Sequence, residues 1–427
     1  MKSVGIIAEY NPLHSGHLYQ IAKAKELTGA DYTVICMSGN FVQRGGPAIM
    51  DKWTRARVVL DSSPDERSNA DLVIELPTIY ACNRAEIFAM GAVRTLAGIG
   101  VTHISFGCET HNFDGLFRIA ETMVYEKARV DELISVYMKD GISRAKANQK
   151  AVADIMGSDA AILLEGPNNI LSIEYLKNII QLRNEGVNIE AVPVQRYVSG
   201  INESNALLGF AGSTEIRRLI RNKTFDEAAK YMPGKVCLAL SEGGAPKERV
   251  DKAYEITFEL LRNDITRLFP KELTYLYCIG EGLENKIKKE IVFAKSVDDL
   301  VERLTSKRYT ASSIRRILMY ILIGLTGKTA DRLTGITRDG KVSEPALFAR
   351  VLAAGEGGRE FLKKVKKEEL ATIPVITNIN RFFEENSNIE LELLAELDVL
   401  AGDMYNLIFG RDMYEYSDKV VTPYIEV

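Results

Sequence analysis

The sequence contains little histidine and cysteine, which limits the kinds of site that it can form. Among 427 residues there are four His and five Cys, and no Cys-x-x-Cys pair occurs. An odd number of cysteines without such pairs predicts neither a disulfide framework nor a zinc site. We therefore expect no resident metal site, and buried or idle thiols at Cys36, Cys82, Cys108, Cys237 and Cys278.

Long apolar runs and an excess of charge are also missing. No stretch approaches the ~20 apolar residues that span a bilayer, and the N-terminus reaches Glu9 without a signal-peptide cleavage pattern. The sequence therefore predicts a cytoplasmic protein with no membrane partner. A net charge of −4 gives no overall attraction to nucleic acid, so an RNA partner would require locally clustered basic residues.

An alternation of strand and helix patterns fills roughly the first half of the chain, whose length predicts two or three domains. Continuous apolar strand patterns occur at 4–10, 31–37, 71–76, 103–107 and 189–194. Helical patterns between and after them occupy 17–27, 53–60, 85–97, 171–185 and 214–221. This order predicts an α/β fold with a parallel sheet covered on both faces.

Beyond about residue 225 the strand patterns give way to amphipathic helical patterns. They occur at 252–268, 297–304, 312–325 and 345–352. A domain boundary is expected near 220–245, where Gly234, Gly243, Gly244 and Pro246 cluster. We predict an α/β domain at 1–225 and a mainly α-helical domain at 226–427.

The most informative segment follows the first predicted strand. A turn at Asn11-Pro12 leads into a helix that begins near His14, which is the crossing where an open α/β sheet binds ligands. Gly16 allows close approach to the backbone, and the helix N-terminus attracts phosphate. His14 and His17 can donate hydrogen bonds to phosphate oxygens. Two surface histidines at a helix start are the alternative, but the position after the first strand favours a phosphate site.

A second phosphate-type motif, Gly-Ser-Thr-Glu-Ile-Arg, occupies 212–217. Ser213 or Thr214 can cap a helix there, and the fork of Arg217 suits phosphate. Alone, the motif also fits a capped helix followed by solvated arginines. Together with the first motif, it indicates a nucleotide site.

The segments at 14–17 and 212–217 resemble the two ATP-binding signatures of HIGH nucleotidyltransferases, a group that includes adenylyltransferases and class I aminoacyl-tRNA synthetases. Further segments resemble the bacterial tRNA(Met) cytidine acetate ligase family: 4–12, 37–48, 70–77, 105–109 and 167–171. The resemblance is dense over about 220 residues and looser at 307–310 and 372–377. The stretch 61–69 departs from the family in being longer and more polar.

The resemblance implies a Rossmann-like ATP-binding domain followed by an α-helical domain, and a two-step reaction. Acetate and ATP, with accompanying Mg²⁺, would form acetyl-adenylate and pyrophosphate. The N4 amine of the wobble cytidine of elongator tRNA(Met) would then take the acetyl group and release AMP. A homodimer is left open.

The resemblance also implies site residues. The histidines at 14 and 17 and Arg217 would act in catalysis. ATP would be bound by Ser213, Thr214, Gly107, Arg196 and Asn168 or, preferably, Asn169, although turn residues and a helix N-cap are equally compatible readings. The ATP loop would comprise Ile7, Ala8, Glu9, Tyr10, Asn11, Pro12, Leu13, His14, Ser15, Gly16, His17, Leu18, Tyr19 and Gln20.

Basic residues suggest where the other substrates bind. Arg44 and Lys52 flank Gly45-Gly46-Pro47. This loop borders the acetate or the cytidine in one reading, and in the other its charges face only solvent. Clustered positive charge with an aromatic residue, Tyr309, predicts a tRNA site at Lys307, Arg308, Arg315 and Arg316. Solvated helix faces are the alternative for both clusters, and they are favoured for a second cluster that is diluted by acids: Arg359, Lys363, Lys364, Lys366 and Lys367.

Three other functions use the same motifs. A metabolite adenylyltransferase shares the nucleotide site, but such enzymes are usually single short domains, and the helical tail would have no use. A non-enzymatic tRNA-binding module would not need both motifs intact. A synthetase would require an editing or anticodon domain, of which the sequence has no recognisable signature.

Overall fold

The computed structural model describes residues 1–62, 69–196, 211–222, 224–242, 246–337 and 342–426. Gly243, Gly244 and most of the divergent stretch at 61–69 lie outside these ranges. The strands are β1 (Ser3–Ala8), β2 (Tyr32–Ser38), β3 (Phe41–Val42), β4 (Gly46–Pro47), β5 (Leu72–Leu76), β6 (His103–Cys108), β7 (Glu190–Gln195), β8 (Ala349–Ala354), β9 (Val375–Ile376) and β10 (Tyr424–Ile425).

The helices fall into two groups along the chain. Those before residue 225 are α1 (Ser15–Thr28), α2 (Lys52–Asp61), α3 (Thr78–Ala81), α4 (Ala85–Gly98), α5 (Phe113–Tyr125), α6 (Lys127–Lys139), α7 (Arg144–Met156), α8 (Ser158–Ile162), α9 (Pro167–Asn184) and α10 (Ser213–Arg221). Those after it are α11 (Phe225–Ala229), α12 (Gly234–Ser241), α13 (Pro246–Arg267), α14 (Pro270–Leu273), α15 (Leu283–Glu290), α16 (Val297–Leu304), α17 (Ala311–Leu322), α18 (Gly327–Thr334), α19 (Glu356–Lys367), α20 (Ile379–Glu385) and α21 (Ile389–Ile408).

The main sheet has the order β10-β8-β5-β2-β1-β6-β7, and β9 also pairs with β8. The five strands from β5 to β7 are parallel. The chain moves from β1 to β2 and β5 on one side and returns to β6 and β7 on the other. Such a reversal next to the first strand is the switch point where doubly wound sheets bind ligands. The predicted fold class, a Rossmann-like parallel sheet followed by a mainly helical region, is confirmed.

The edge of the sheet beyond β5 is formed by residues from near the C-terminus. β8 runs antiparallel to β5, and β9 and β10 pair with β8. The predicted helix at 345–352 is wrong. Every residue of β8 is buried, and because such a run has no polar face, its apolar pattern cannot distinguish a buried helix from a buried strand. The boundary at 225 stays a prediction.

The region between β6 and α9 is a helical excursion that the sequence patterns left unassigned. It consists of the helices α5, α6, α7 and α8. α6 and α7 pack on each other through a small apolar core of their own: Val130, Ile134, Ala147 and Ala151. α5 instead belongs to the main core, whose apolar cluster also runs from the sheet into α13–α18 and α21.

The long described helices are not apolar enough to cross a membrane. None of the five cysteines, all of which lie in the described ranges, forms a disulfide; three are buried, one is half-buried and one, Cys278, is exposed. In the ranges given above, no three His, Cys, Asp or Glu side chains converge in a way that could hold a metal ion.

Candidate active site at the strand ends

A buried arginine organises the carboxyl edge of the sheet. Arg55 on α2 donates to the carbonyls of Glu9 at 2.6 Å, Ser38 at 3.1 Å and Met50 at 3.0 Å. Its burial lowers its pKa, and these carbonyls satisfy its N–H groups in place of a carboxylate. Arg55 therefore fixes the exits of β1 and β2. This role could not be predicted from the sequence, because an arginine in a helical pattern resembles an ordinary surface residue.

The first motif forms the start of α1, with His14 as its N-cap residue. Nδ1 of His14 accepts the N–H of Gly16 at 3.1 Å, and Nδ1 of His17 accepts the N–H of His14 at 3.3 Å. The two rings stack with centroids 3.7 Å apart. Since both Nδ1 atoms are acceptors, each neutral ring carries its proton on Nε2. Nε2 of His14 is buried without a hydrogen-bond partner.

Burial, assisted by the charges of Arg196 and Arg217, lowers the pKa of His14 to about 3. Burial, and then proximity to His14 and Arg196, holds the pKa of His17 well below its usual range. Both imidazoles are therefore neutral at pH 7. They present N–H donors at the switch point, and such donors stabilise negative charge that develops on phosphate oxygens.

The second motif touches the first. Nη1 of Arg217 donates to the carbonyl of Asn11 at 2.6 Å, and the hydroxyl of Ser213 donates to the carbonyl of Pro12 at 3.3 Å. Nη2 of Arg217 also contacts the hydroxyl of Thr214 at 3.3 Å. The predicted proximity of the two motifs is thus present in the structure.

The predicted cap of this helix by Ser213 or Thr214 is wrong. The N-cap residue of α10 is Gly212, and it makes no side-chain cap bond. The first N–H groups of α10 are therefore left without a side-chain cap beside the His14 turn, an arrangement that favours an anion.

The ends of β6 and β7 bring together the other ATP candidates. Arg196 donates from Nη1 to the side chain of Asn168 at 2.7 Å. A Cβ at Gly107 would lie 2.6 Å from the aliphatic carbons of Arg196, so any larger residue there would displace the Arg196 side chain. The side-chain oxygen of Asn169 accepts the N–H of Glu109 at 2.9 Å.

These contacts exclude one reading left open for the two asparagines, whereas contact of this group with ATP stays a prediction. The N-cap of α9 is Gly166, so neither asparagine is a helix cap. Glu109 was missed by the sequence interpretation, although its carboxylate accepts from Asn168. Its position directly after β6 was the one signal that could have identified it.

The remaining residues of the predicted ATP loop line the same turn. Ile7 and Ala8 end β1, Tyr10 has a positive φ of 46°, and Leu13 is buried. The N–H and the hydroxyl of Ser15 bond to the carbonyl of Tyr231, at 3.0 and 3.1 Å. The rest of the predicted loop lies on the first turns of α1: Leu18, Tyr19 and Gln20.

Lys52 does not border a substrate, and that hypothesis is wrong. Its Nζ atom is buried 2.7 Å from Glu75 and 2.5 Å from Asp418, and Arg350 lies 2.7 Å from the same Asp418 carboxylate. Two cations and two carboxylates thus neutralise each other inside the fold. Arg44, by contrast, is exposed. Burial is the main cause that lowers the pKa of Arg217, and the positive charge of Arg44 adds to this effect.

The predicted tRNA residues lie around the start of α17. Arg315 is paired with Asp298 at 2.7 Å, Arg308 is paired with Glu281, and Lys307 is exposed. Arg316 is half-buried and donates from Nη1 to the carbonyl of Gln43 at 3.3 Å.

The loop at 43–46 packs directly on α17. Gly45 has a φ of +76°, and a Cβ there would lie 2.3 Å from the backbone nitrogen of Arg316. The basic segment therefore adjoins the strand-end site. In the second basic cluster, the ammonium group of Lys364 donates instead to the hydroxyl of Tyr32 at 2.6 Å.

The fold and this site are those of a nucleotidyl transferase. Residues 1–419 match the family model described as HIGH Nucleotidyl Transferase. A protein of Thermoanaerobacter sp. (strain X514) named tRNA(Met) cytidine acetate ligase is 36% identical over 414 residues, 96% of each chain. A protein of Acetivibrio thermocellus with the same name is 33% identical over 430 residues, 99% of each chain. The chain belongs to the tRNA(Met) cytidine acetate ligase family of HIGH nucleotidyl transferases.

A solved structure agrees with this assignment. The crystal structure of Thermotoga maritima TmcAL bound with alpha-thio ATP superposes with a TM-score of 0.84 at 28% identity, covering 100% of this chain and 99% of that one. The apo form of the same protein is equally similar, with a TM-score of 0.84 at 27% identity.

Proposed function

We propose that this protein is an ATP-dependent ligase that activates acetate as acetyl-adenylate and acetylates N4 of the wobble cytidine in elongator tRNA(Met). The observation that carries the proposal is the contact between the two motifs, in which Arg217 is bonded to the turn that presents the neutral His14 and His17. The name of the relatives supplies the identity of the RNA and of the acyl donor.

The adenylation step follows from the donors at the switch point. A carboxylate oxygen of acetate attacks the α-phosphorus of ATP, and the bond to pyrophosphate breaks. Negative charge then grows on the phosphate oxygens, where the Nε2–H groups of His14 and His17 and the fork of Arg217 stabilise it. Arg196, held by Asn168 beside Gly107, is suited to contact the nucleotide from the β6 side.

Mg²⁺ would accompany ATP in this step. Since no three suitable side chains converge among the described residues, the ion would be held chiefly by phosphate oxygens and water, as is usual for Mg²⁺ with nucleotides. It would supply additional charge neutralisation at the leaving pyrophosphate.

Acetyl transfer is the second step. Acetate itself is a poor acyl donor because oxide is a poor leaving group, whereas AMP leaves readily. The N4 amine attacks the acyl carbon, and holding both reactants in one site lowers the barrier. We propose that 1–225 carries the adenylation site and that 226–427 carries the tRNA surface, with Lys307, Arg308, Arg315 and Arg316 nearest to the site.

The reaction would take place in the cytoplasm, where ATP and tRNA are both present. A homodimer remains a prediction, and light scattering of the purified chain is the measurement for it.

The function is tested by incubating the protein with ATP, [¹⁴C]acetate and either elongator or initiator tRNA(Met). Nucleoside mass spectrometry should find N4-acetylcytidine in the elongator tRNA only, together with one AMP per acetyl group. Acetate-dependent pyrophosphate exchange without any tRNA product would point to a different acyl acceptor. Exchange that requires another small substrate in place of acetate would instead identify a metabolite adenylyltransferase.

A further inference from the structure

A carboxylate lies among the groups of the site that are proposed to bind phosphate. Glu9 directly follows β1 and is half-buried, and its Oε1 accepts the N–H of Gln43 at 3.0 Å. Burial lowers the pKa of Arg217, and the negative charge of Glu9 is the largest influence that acts in the opposite direction. Glu9 therefore lies close to the second motif. A carboxylate repels phosphate, and direct phosphate binding therefore gives no reason for an acid here.

Acetyl transfer, which rests on the proposed function, requires such a group. The lone pair of a cytosine N4 amine is delocalised into the ring, so the amine is a weak nucleophile. Attack on an acyl carbon leaves the nitrogen with a proton that must be removed. A general base within reach accelerates this kind of step by about 10²–10⁴-fold.

The histidines are unsuited to be this base. Both Nδ1 atoms are already occupied as acceptors of backbone N–H groups, and both Nε2 atoms carry protons. In addition, His14, with its pKa lowered to about 3, has little tendency to accept a proton. The imidazoles of the motif can donate hydrogen bonds, but they have no free basic nitrogen.

Two carboxylates follow the strands that border the switch point, Glu9 after β1 and Glu109 after β6. The Glu109 carboxylate is directed into the start of α9. One oxygen accepts from Asn168, and a Cβ at Gly166 would lie 1.9 Å from the other oxygen. Glu9 is held only through Oε1 among the hydrogen bonds of the described residues, which leaves Oε2 available to an incoming amine.

We propose that Glu9 is the general base of acetyl transfer. The N4–carbon bond forms, the bond from the acyl carbon to the AMP oxygen breaks, and one N4 proton passes to the Glu9 carboxylate and then to solvent. The second N4 proton stays on the amide product. No oxidant or further reactant is needed.

Gln43 connects this base to the predicted tRNA surface. Its N–H donates to Glu9, and its carbonyl accepts from Arg316 on α17. The same peptide segment therefore orients the carboxylate on one side and is fixed by the basic helix on the other. Through this segment, the RNA-binding side of the molecule can set the position of the base.

The test separates the two half-reactions in Glu9→Gln, which is isosteric and keeps an oxygen for the Gln43 N–H. Adenylation is measured as acetate-dependent ATP–pyrophosphate exchange, and transfer as single-turnover acetylation of tRNA by preformed enzyme-bound acetyl-adenylate. We expect the ratio of transfer rate to exchange rate to fall about a hundredfold. Glu26→Gln, on the exposed side of α1, is the matched control and should leave both rates unchanged.

Two results would overturn the proposal: a parallel loss of exchange and transfer, which would assign Glu9 to adenylation, or an unchanged ratio at full activity. If Glu9→Gln does not fold, as judged by circular dichroism, Glu9→Asp replaces it. A shorter carboxylate should reduce the ratio less, by about tenfold, and an unchanged ratio in Glu9→Asp would count against the proposal. Failure of the proposed function itself shows in the wild type, as exchange that does not depend on acetate.

Discussion

At the residue scale, the tautomer of the two motif histidines is set by the backbone. The N–H groups of Gly16 and His14 occupy both Nδ1 atoms, so the protons are on the Nε2 atoms. Burial then suppresses the charged form of each ring. The pair consequently donates hydrogen bonds without a fixed positive charge, and its contribution grows as charge develops on the reacting phosphate.

Removing either imidazole should therefore affect the rate of adenylation. We expect His14→Ala and His17→Ala each to reduce acetate-dependent pyrophosphate exchange about a hundredfold, the scale of one lost transition-state donor. His103→Gln, at the opposite end of the sheet on β6, is the control and should exchange at the wild-type rate. Exchange at the wild-type rate in both alanine variants would remove the motif from the mechanism.

The same burial predicts a pH dependence of stability. In the unfolded chain a histidine binds a proton below pH ~6.5, whereas folded His14 does so only near its pKa of about 3. Between these values the unfolded state binds more protons, so stability decreases as pH falls, by about 1.4 kcal/mol per pH unit for each such group. The double variant His14→Gln/His17→Gln should lose less stability than the wild type between pH 7 and pH 5 in urea unfolding. Equal losses would contradict the neutral, buried state of the rings.

The positions of His14, His17 and Arg217 could be predicted from the sequence, because each lies in a short recognisable motif. The first motif directly follows a strand, and the second lies at the start of a helix. Arg55 and Lys52 could not be interpreted in the same way. Their roles depend on partners that the chain brings from elsewhere, the carbonyls at the ends of two strands for Arg55 and Asp418 for Lys52. A basic residue in a sequence does not reveal whether it faces solvent, a substrate or a buried acid.

At the element scale, the start of α10 is joined to the first motif by Arg217. Arg217→Lys replaces a planar fork with a point charge, and it would lose either the bond to Asn11 or the contact with phosphate. We expect pyrophosphate exchange to fall at least tenfold. The neighbouring Arg218→Lys is the matched control, since Arg218 is exposed and its ion pair among the described residues is with Glu215 on its own helix. Equal pyrophosphate-exchange rates in Arg217→Lys and Arg218→Lys would indicate that residues 212–217 are an ordinary helix start without a role in adenylation.

The loop at 43–46 offers a similar comparison between adjacent glycines. Gly45→Ala combines a positive φ with a Cβ 2.3 Å from the α17 backbone, whereas a Cβ at Gly46 meets nothing within 4 Å. We expect Gly45→Ala to cost about 1–3 kcal/mol of stability and to slow tRNA acetylation by displacing the loop from α17. Gly46→Ala should resemble the wild type in thermal melting and in acetylation. If Gly45→Ala also does so, the loop does not depend on its contact with the helix.

The parallel strands were predicted from continuous apolar runs that alternate with helical patterns. The helix α16 was predicted from its amphipathic pattern, and it begins and ends at its predicted residues, 297 and 304. The strand β8 was missed because it lies among helical patterns, where a fully buried run cannot be distinguished from a buried helix segment. Within the excursion, α6 and α7 were missed because each buries only a few apolar residues, which gives a weak periodic pattern.

At the scale of the whole molecule, the basic segment before α17 and the adenylation site are predicted to have separate roles. Lys307→Glu combined with Arg308→Glu should weaken binding of elongator tRNA(Met) and reduce the slope of log affinity against log salt by about one per lost phosphate contact. Pyrophosphate exchange should be unaffected. Lys363→Glu with Lys366→Glu, on α19, is the comparison. If only this second pair changes the slope, the RNA surface lies there instead.

The buried charges around Lys52 join distant parts of the chain into one fold. Glu75 is on β5, Arg350 is on β8, and Asp418 lies close to the C-terminus. Breaking such a pair leaves an uncompensated charge inside the protein, which typically costs about 3–5 kcal/mol. The nucleotide-binding sheet and the last residues of the chain therefore depend on each other for stability.

The position of β8 also has a consequence for how the protein is made. Leu72 pairs with Ala354, so while a ribosome is translating the intervening chain, β5 is complete but its outer edge has no partner. Unpaired strand edges invite association with other chains. A nascent chain that pauses between these two strands would be prone to aggregation and a natural client for chaperones, and the sheet would be completed beside β5 only once β8 has been synthesised.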